Sequence, residues 1–326
     1  MSVEDAWKAY QRGAADDWFA AQKLLRAWLR ANPEGADALA AGLRAGRYSE
    51  AEQAALVLAL AKADTPESRR ALEGLAADRA LPENLRTQAV SALADVPSPT
   101  RATVDTLTRL ADRVDGATTQ DLVGSAATMS LGTLLAGAPA EDVGDLARAY
   151  LDRRLADASQ PDRTVEALWA VGNAGDAGFL DAVEPLVESP DADLRAAAIH
   201  ALRRMPSGDA GPLLAARMKA EQHPEVAAEV AQAEREQVAN GAALSELDLS
   251  LLQSKLIGAP EPLRRELVLT LGAASRAQPE ARAMLAAWYP NEPSVAVRVL
   301  IGQFVPADEL PAAPPPSPSG GGGASR

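Results

Sequence analysis

The sequence predicts an all-α protein folded as a curved α-solenoid, in which pairs of helices form two layers. Only 4% of the 326 residues are aromatic, and alanine and leucine dominate the apolar fraction. This composition favours thin layers of closely packed helices over a bulky β-sheet core. Two further observations support the same fold class: apolar stripes at helical spacing, and an internal repeat.

The clearest stripe lies between residues 192 and 205. One face of a helix with 3.6 residues per turn collects positions i, i+4, i+7, i+8 and i+11, which here are Leu194, Ala198, Ala201, Leu202 and Met205. A helix with one narrow stripe of small residues cannot bury itself alone. It therefore needs a partner helix and then a neighbouring pair, which is the construction of a solenoid.

The internal repeat supports this interpretation. Four dipeptides of one segment recur in similar form 109 residues later in the chain. The first copy has Leu85-Arg86, Ala89-Val90, Ala92-Leu93 and Pro97-Ser98. The second copy has, in the same order, Leu194-Arg195, Ala198-Ile199, Ala201-Leu202 and Pro206-Ser207. This offset corresponds to three units of about 36 residues, within the range of helical-pair repeats. Leu93 and Leu202 occupy the same stripe position, so we expect both to be buried.

Domain organisation follows from composition. Residues 1–305 are predicted to form the solenoid, with an atypical N-terminal cap at 1–48 and helical repeats at 49–305. The cap contains five of the twelve aromatic residues: Trp7, Tyr10, Trp18, Phe19 and Trp28. Closure of the core at an end of the array explains them, and an aromatic binding site is the alternative. Residues 306–326 contain six prolines and four consecutive glycines, which predicts a mobile tail or linker that is dispensable for stability.

Local signals predict several details inside the solenoid. Pro185 interrupts the apolar segment 181–188 and predicts a kink or an early end of that helix. Residues 206–209 are predicted to form a turn before a helix that starts near Gly211. The helix near residues 120–136 is rich in Gly, Ala, Ser and Thr, so we expect it to pack closely against its neighbours.

Charge and composition exclude several function classes. The formal net charge of −13 and the isoelectric point near 4.8 argue against binding to DNA, RNA or an anionic membrane surface. The absence of cysteine excludes disulfides and thiolate chemistry. The N-terminal segment has no apolar signal core, and no run approaches the roughly 20 apolar residues of a membrane span. We therefore expect a soluble, cytoplasmic protein.

Residues that could carry chemistry have simpler structural explanations. His200 lies off the apolar stripe and is expected to be a partly exposed surface residue, and His223, 23 residues away, has no cysteine to complete a zinc site. The acid pairs Asp16-Asp17 and Asp191/Asp193 lie where they would cap helices and complement the helix dipole. We predict no catalytic, cofactor-binding or metal-binding residue, no cofactor, and leave the partner-binding residues unassigned.

Glycines and arginines are interpreted in the same way. Three glycines follow a helix instead of a strand and fit helix C-capping and a tight corner: Gly172, Gly175 and Gly178. Three arginine doublets fit a solvated face or pairing with acids, with a partner-binding ridge as the alternative: Arg153-Arg154, Arg203-Arg204 and Arg264-Arg265.

Two segments of the chain resemble known families. Residues 189–202, SPDADLRAAAIHAL, resemble the second helix of a HEAT repeat, in which an Asp/Pro corner precedes an apolar residue, an arginine and a run of small residues. Residues 50–204, with ALWAVGNAGD at 167–176 and Asp64-Thr65-Pro66, resemble the helical domain of the large lipid transfer proteins. That family includes vitellogenin, apolipophorin and the microsomal triglyceride transfer protein. The resemblance implies a two-layered α-superhelix.

The lipid activity of that family does not follow from the resemblance. Its lipid cavity is built largely by β-sheets, and this sequence has no β-rich segment. The sequence favours a non-enzymatic scaffold that holds a protein partner on its solenoid surface. Lipid transport with a separate β-rich part is the alternative, and an enzyme such as a lyase with HEAT-like repeats is a third hypothesis. The apolar segments 56–61 and 267–271 are short enough to be core, so we expect the isolated chain to carry no phospholipid or triglyceride.

Overall fold

The computed structural model describes residues 3–14, 17–113 and 121–311. Within these ranges the chain forms α-helices and two short 3-10 helices, and no β-strand, which confirms the all-α prediction. The α-helices are α1 (Val3–Ala14), α2 (Trp18–Ala31), α3 (Gly35–Arg44), α4 (Glu50–Ala63), α5 (Pro66–Ala77), α6 (Glu83–Ala94), α7 (Arg101–Ala111), α8 (Leu122–Ala136), α9 (Glu141–Leu155), α10 (Pro161–Ala174), α11 (Leu180–Val187), α12 (Ala192–Leu202), α13 (Ser207–Ala220), α14 (Pro224–Ala239), α15 (Glu246–Leu256), α16 (Glu261–Ala274), α17 (Pro279–Trp288) and α18 (Val295–Ile301).

The chain divides into two compact units, Met1–Leu186 and Val187–Arg326. In the first unit the even-numbered helices α2 to α10 pack side by side in one row, and the odd-numbered helices α1 to α9 form a second row against it. In the second unit α12, α14, α16 and α18 form a row, and α13, α15 and α17 pack against it. Both units therefore have the two layers of an α-solenoid.

The helices inside the even-numbered rows are buried on more than one face. Each of them contacts two row neighbours as well as the opposite layer, and they are α4, α6, α8, α14 and α16. Leu56 and Leu60 of α4 are fully buried, and so are Leu267 and Leu271 of α16. The apolar segments 56–61 and 267–271 thus contribute to the protein core, as expected. Leu93 and Leu202 are also fully buried, as the repeat predicts.

The helix α8 approaches α10 unusually closely. A Cβ atom added to Gly132 would lie 1.9 Å from the carbonyl oxygen of Ala170, so only glycine fits at this contact. This close approach confirms the packing expected from the small residues of α8.

Polar side chains also connect consecutive helices within the rows. They donate hydrogen bonds to backbone carbonyls of the preceding or following row helix, and so occupy acceptors that packing removes from water. The bonds are Gln22 Nε2 to Ala55 O at 3.1 Å, Ser130 Oγ to Val90 O at 3.3 Å, Gln237 Nε2 to Leu202 O at 3.2 Å and Thr270 Oγ1 to Ala231 O at 2.7 Å.

Two prolines lie inside helices. Helix α11 continues two residues beyond Pro185 and ends at Val187. Helix α13 begins at Ser207, earlier than the sequence indicates, and includes Pro212. Because proline has no N–H, Pro212 supplies no helix hydrogen bond to the carbonyl of Gly208.

The predicted tail is described in part. Residues 306–311 are described, and within them Glu309 Oε2 lies 3.4 Å from Arg282 Nε. Residues 312–326 lie outside the described ranges.

Candidate functional site

The second unit contains a cleft with an acidic lining. It lies between the first half of α13, the second half of α14 and the segment that leads into α15, and its volume is about 420 Å³. This size is within the range of small-molecule pockets, about 300–1,000 Å³. The polar part of the lining comprises Ser207, Glu234, Gln237, Ser245 and Asp248.

Glu234 is the unusual residue of this cleft. Its side chain lines the cleft although the residue is only 5% exposed, and its Oε2 atom is buried without a hydrogen-bond partner. Burial raises the pKa of Glu234 to about 8, and the negative charge of Asp248 acts in the same direction. Buried polar atoms are nearly always hydrogen-bonded in folded proteins, so this carboxyl group requires an explanation.

Asp248 holds the second carboxylate of the cleft in a fixed position. Its Oδ2 atom accepts hydrogen bonds from the backbone N of Ser245 at 3.0 Å and from Ser245 Oγ at 2.6 Å. In return, Ser245 Oγ accepts a hydrogen bond from the backbone N of Asp248 at 3.2 Å. This reciprocal arrangement is a capping box, and it fixes the carboxylate at the N-terminus of α15.

Glycines keep the cleft open. A Cβ atom added to Gly211 would meet only Gln237 Oε1, at 3.9 Å, and one added to Gly208 would meet nothing within 4 Å. Gln237 is held by the hydrogen bond from its Nε2 atom to Leu202 O. Both positions of α13 could accommodate a side chain, and the lack of one at each leaves this side of the cleft unfilled.

The sequence did not single out Glu234, although a signal was present. Glu234 follows Val226 and Val230 at i+8 and i+4, so it continues the buried stripe of α14. An acid in the middle of a helix rich in Glu, Gln and Arg is typical of a solvated face, and its burial depends on α13 and on the segment before α15.

The expectation for His200 is wrong. His200 is buried, and its Nδ1 atom lies 2.9 Å from Glu229 Oε1 on α14. The face of α12 that carries His200 is covered by α14, so α12 is buried on two faces instead of one. Burial lowers the pKa of His200, and the hydrogen bond with Glu229 opposes this effect.

No metal centre involves the histidines in the described part of the chain. His223 is exposed at the N-terminus of α14, and its backbone N donates to Glu221 Oε1 at 2.8 Å. Among the described residues, no group of three or more His, Asp or Glu side chains could hold a metal ion.

The other acids and glycines noted in the sequence have structural roles. Asp17 accepts a hydrogen bond from the backbone N of Ala20 at 3.0 Å, and Asp191 accepts from Asp193 and Leu194, which are both at the start of α12. Asp16 lies outside the described residues. Gly175, the capping residue that follows the C-terminus of α10, has φ of +63°, which glycine adopts most readily. Gly172 lies buried in α10, and Gly178 lies in the short 3-10 helix that follows.

In each arginine doublet, one member is used inside the fold. Arg154 lies 2.7 Å from Asp112, Arg203 lies 3.4 Å from Glu236, and Arg264 lies 3.0 Å from Glu292, while Arg153, Arg204 and Arg265 are exposed. The pairing with acids that the sequence favours is therefore present in all three doublets.

Four of the five N-terminal aromatic residues form two pairs, and Trp28 is half-buried. Trp7 and Tyr10 are buried and stacked with ring centroids 4.8 Å apart. Trp18 and Phe19 are exposed and meet edge to face at 5.1 Å. Core packing explains the first pair, and the exposed second pair is available for contacts.

No helix in residues 3–14, 17–113 and 121–311 is both long and apolar enough to cross a membrane.

Comparisons with known proteins agree with the fold. A family model described as HEAT repeats matches residues 149–234. A crystal structure of a Kap121p mutant covers 95% of this chain at 14% identity and a TM-score of 0.56, and the match spans 39% of Kap121p. The karyopherin Kap121p bound to the extreme C-terminus of the protein phosphatase Cdc14p gives the same coverage at 14% identity and a TM-score of 0.55.

A weaker structural match carries no argument about function. The complex of CpcE and CpcF of phycocyanin lyase from Nostoc sp. PCC7120 matches at 19% identity and a TM-score of 0.45, over 73% of this chain and 94% of that chain. No curated protein sequence matches the chain. Neither the family model nor these structures belongs to the large lipid transfer proteins, and the two Kap121p structures support the fold alone.

Proposed function

We propose that this chain is a non-enzymatic HEAT-repeat scaffold that binds a protein partner on its solenoid surface. The observation that carries the proposal is the packing of helices into two rows in both units, which matches the HEAT-repeat model and the fold of Kap121p. One of the matching Kap121p structures is bound to a terminal segment of another protein. Repeat proteins of this type use their extended surfaces for such contacts.

Exposed apolar side chains support a protein partner for the second unit. Several large ones lie outside the core of this unit, where they are available to a partner: Leu247, Ile257, Val295 and Val299. They lie on an acidic chain, and acidic surfaces favour proteins with basic segments over nucleic acids. The cytoplasmic location expected from the sequence is part of the same proposal.

The two alternatives receive less support. Lipid transport requires helices that expose an apolar face to a lipid cavity, whereas the apolar segments 56–61 of α4 and 267–271 of α16 contribute to the core. An enzyme requires a cluster of titratable groups around a reacting atom, and the lining of this cleft supplies two of them, Glu234 and Asp248.

The experiment is purification of the full chain from its native host after chemical cross-linking, followed by identification of both bound proteins and extracted lipids by mass spectrometry. We expect a protein partner that rebinds the purified chain at a fixed stoichiometry. A near-stoichiometric phospholipid or triglyceride, with no protein that rebinds, would replace the scaffold by the lipid alternative.

A further inference from the structure

We propose that the cleft around Glu234 holds one basic side chain, a lysine or an arginine, of the partner protein. This inference rests on the proposed function and specifies how the scaffold recognises its partner. The cleft residues lie entirely within the second unit, on α13, α14 and α15 and the segment between the last two.

Glu234 lacks a hydrogen-bond donor among the described residues of the cleft. Glu234 Oε2 is buried and receives no hydrogen bond from the described residues, and none of their cations forms an ion pair with this side chain. A buried carboxyl group without a partner destabilises the fold, whereas a donor that enters the cleft would remove this cost. An ammonium or guanidinium group supplies both the donor and the opposite charge.

The acidic groups of the cleft favour a ligand with a positive charge. Asp248 places a second carboxylate on the same cleft, and the whole chain has a formal net charge of −13. An anion would be repelled by Asp248, and by Glu234 once that group is ionised. A neutral donor would satisfy one oxygen atom but would bring no positive charge to offset the two acids, so a cation is favoured. A metal ion would require more ligands than two carboxylates, since oxygen-bound cations take about six or more.

The lining of the cleft has an apolar part and an acidic part. Pro212, Leu214 and Ala215 form an apolar part of the lining, while Glu234 and Asp248 form the acidic part. Lysine and arginine have this distribution themselves, with an apolar stem and a charged end. Gly208, which also lines the cleft, adds no side chain that would occupy this space.

Binding of the cation is coupled to a proton. The pKa of Glu234 is about 8 in the free protein, so the carboxyl group is mostly protonated near neutral pH. A cation that pairs with Glu234 must release this proton, and we therefore expect tighter binding at pH 8.5 than at pH 6. An amine or guanidine probe keeps its charge over this range, because the pKa of lysine is about 10.4 and that of arginine is higher.

The test uses the full chain and three small probes. N-acetyl-lysine methylamide and N-acetyl-arginine methylamide carry the proposed groups, and N-acetyl-norleucine methylamide is the uncharged control of similar length. Binding is measured from the NMR shifts of methyl groups lining the cleft, on Leu214 and Ala215. We expect at least one basic probe to saturate these shifts and the norleucine probe to bind about ten- to a hundredfold more weakly.

Two variants separate charge from space. Glu234→Gln removes the charge, and Gly211→Leu fills the cleft from a helical position where a Cβ atom meets only Gln237 Oε1. Both should weaken the basic probe about tenfold or more. Glu225→Gln, an exposed acid on the same helix, is the matched control and should bind as the unchanged chain does. Circular dichroism of all three variants establishes that they are folded.

The outcomes distinguish this inference from the scaffold proposal. Equal binding of the norleucine and basic probes would overturn the inference and leave the scaffold intact. A partner protein that binds Glu234→Gln and Gly211→Leu as tightly as the unchanged chain would do the same. Basic probes that bind through Glu234, with no protein partner recovered, would overturn both proposals and identify a free amine as the ligand. Tenfold weaker partner binding by both variants supports the inference.

Discussion

The Nδ1 atom of His200 lies 2.9 Å from the Oε1 atom of Glu229, and this contact joins α12 to α14 inside the second unit. It lies on the helix face that a single-stripe interpretation of α12 leaves to solvent. The row neighbour covers that face, so the ring is buried and its polar atom needs a partner.

Replacing His200 with alanine should therefore destabilise the protein. The change creates a cavity and leaves Glu229 without its partner, and we expect the free energy of unfolding to fall by about 1–3 kcal/mol. Urea denaturation at pH 7.5 measures the effect. The exposed His223 is the control, and His223→Ala should cost about 0.5 kcal/mol or less. Equal effects of the two variants would mean that the His200 contact adds no stability.

Leu93 and Leu202 test the internal repeat. Both side chains are fully buried, at equivalent positions of α6 and α12. Changing either leucine to alanine should lower the free energy of unfolding by about 2–5 kcal/mol, the range for buried leucines. Leu24→Ala, at an exposed position of α2, should change it by about 0.5 kcal/mol or less. A small effect at only one of the buried leucines would contradict their equivalence.

Glu292 is completely buried beside Arg264 and accepts hydrogen bonds from it through both carboxylate oxygens. Trp288 Nε1 also donates to Glu292, at 3.0 Å. Glu292→Ala would leave the guanidinium buried without its counter-charge, and we expect a loss of about 3–5 kcal/mol in denaturant unfolding. The exposed pair of Arg282 and Glu309 is the comparison. Glu309→Ala should cost about 1 kcal/mol or less, and a loss at Glu292 no larger than this would refute the distinction.

Glu234 should make stability depend on pH. Its pKa is raised to about 8 from an ordinary value of 4.5, so between these values the folded state binds more protons than the unfolded state. The stability that Glu234 contributes is complete below about pH 4.5 and decreases as pH rises through about 8. Asp248 is the charged group that adds to the shift.

The measurement compares urea denaturation of the unchanged chain, Glu234→Gln and Glu225→Gln at pH 5.5, 7 and 8.5. The free energy of unfolding of Glu234→Gln, relative to that of the unchanged chain, should increase with rising pH. The slope should be on the order of 1.4 kcal/mol per pH unit between the two pKa values, and the total change up to a few kcal/mol. The Glu225→Gln difference should stay constant. Parallel pH curves for the unchanged chain and Glu234→Gln would show that the carboxyl group titrates normally.

Much of the fold was predictable because it is encoded locally. The stripe of α12, the match of Leu93 with Leu202 and the capping residue Asp191 are each visible within a few turns of helix. The capping interpretation of Asp191 is confirmed by its bonds to the amides of Asp193 and Leu194.

The burial of His200 and Glu234 was not predictable in the same way. Each lies on a helix face that another helix or segment covers, and which face is covered depends on packing between separate helices, 29 residues apart in the case of His200 and Glu229. The cleft around Glu234 is also lined by Gly211 and by the segment before α15. No local sequence pattern predicts that this segment lies close to α14. The candidate site is therefore a property of the assembled rows and not of any one motif.

The row architecture has a consequence for synthesis of the chain. In each unit the main contacts join helices whose numbers differ by one or two. Each helix can therefore pack as soon as the helices next to it in the sequence have formed. Such short-range connectivity lowers the entropy of loop closure and favours fast folding. Because polypeptides emerge at about 5–20 residues per second, each helix pair has time to dock on the preceding pair while the ribosome is still adding the next one.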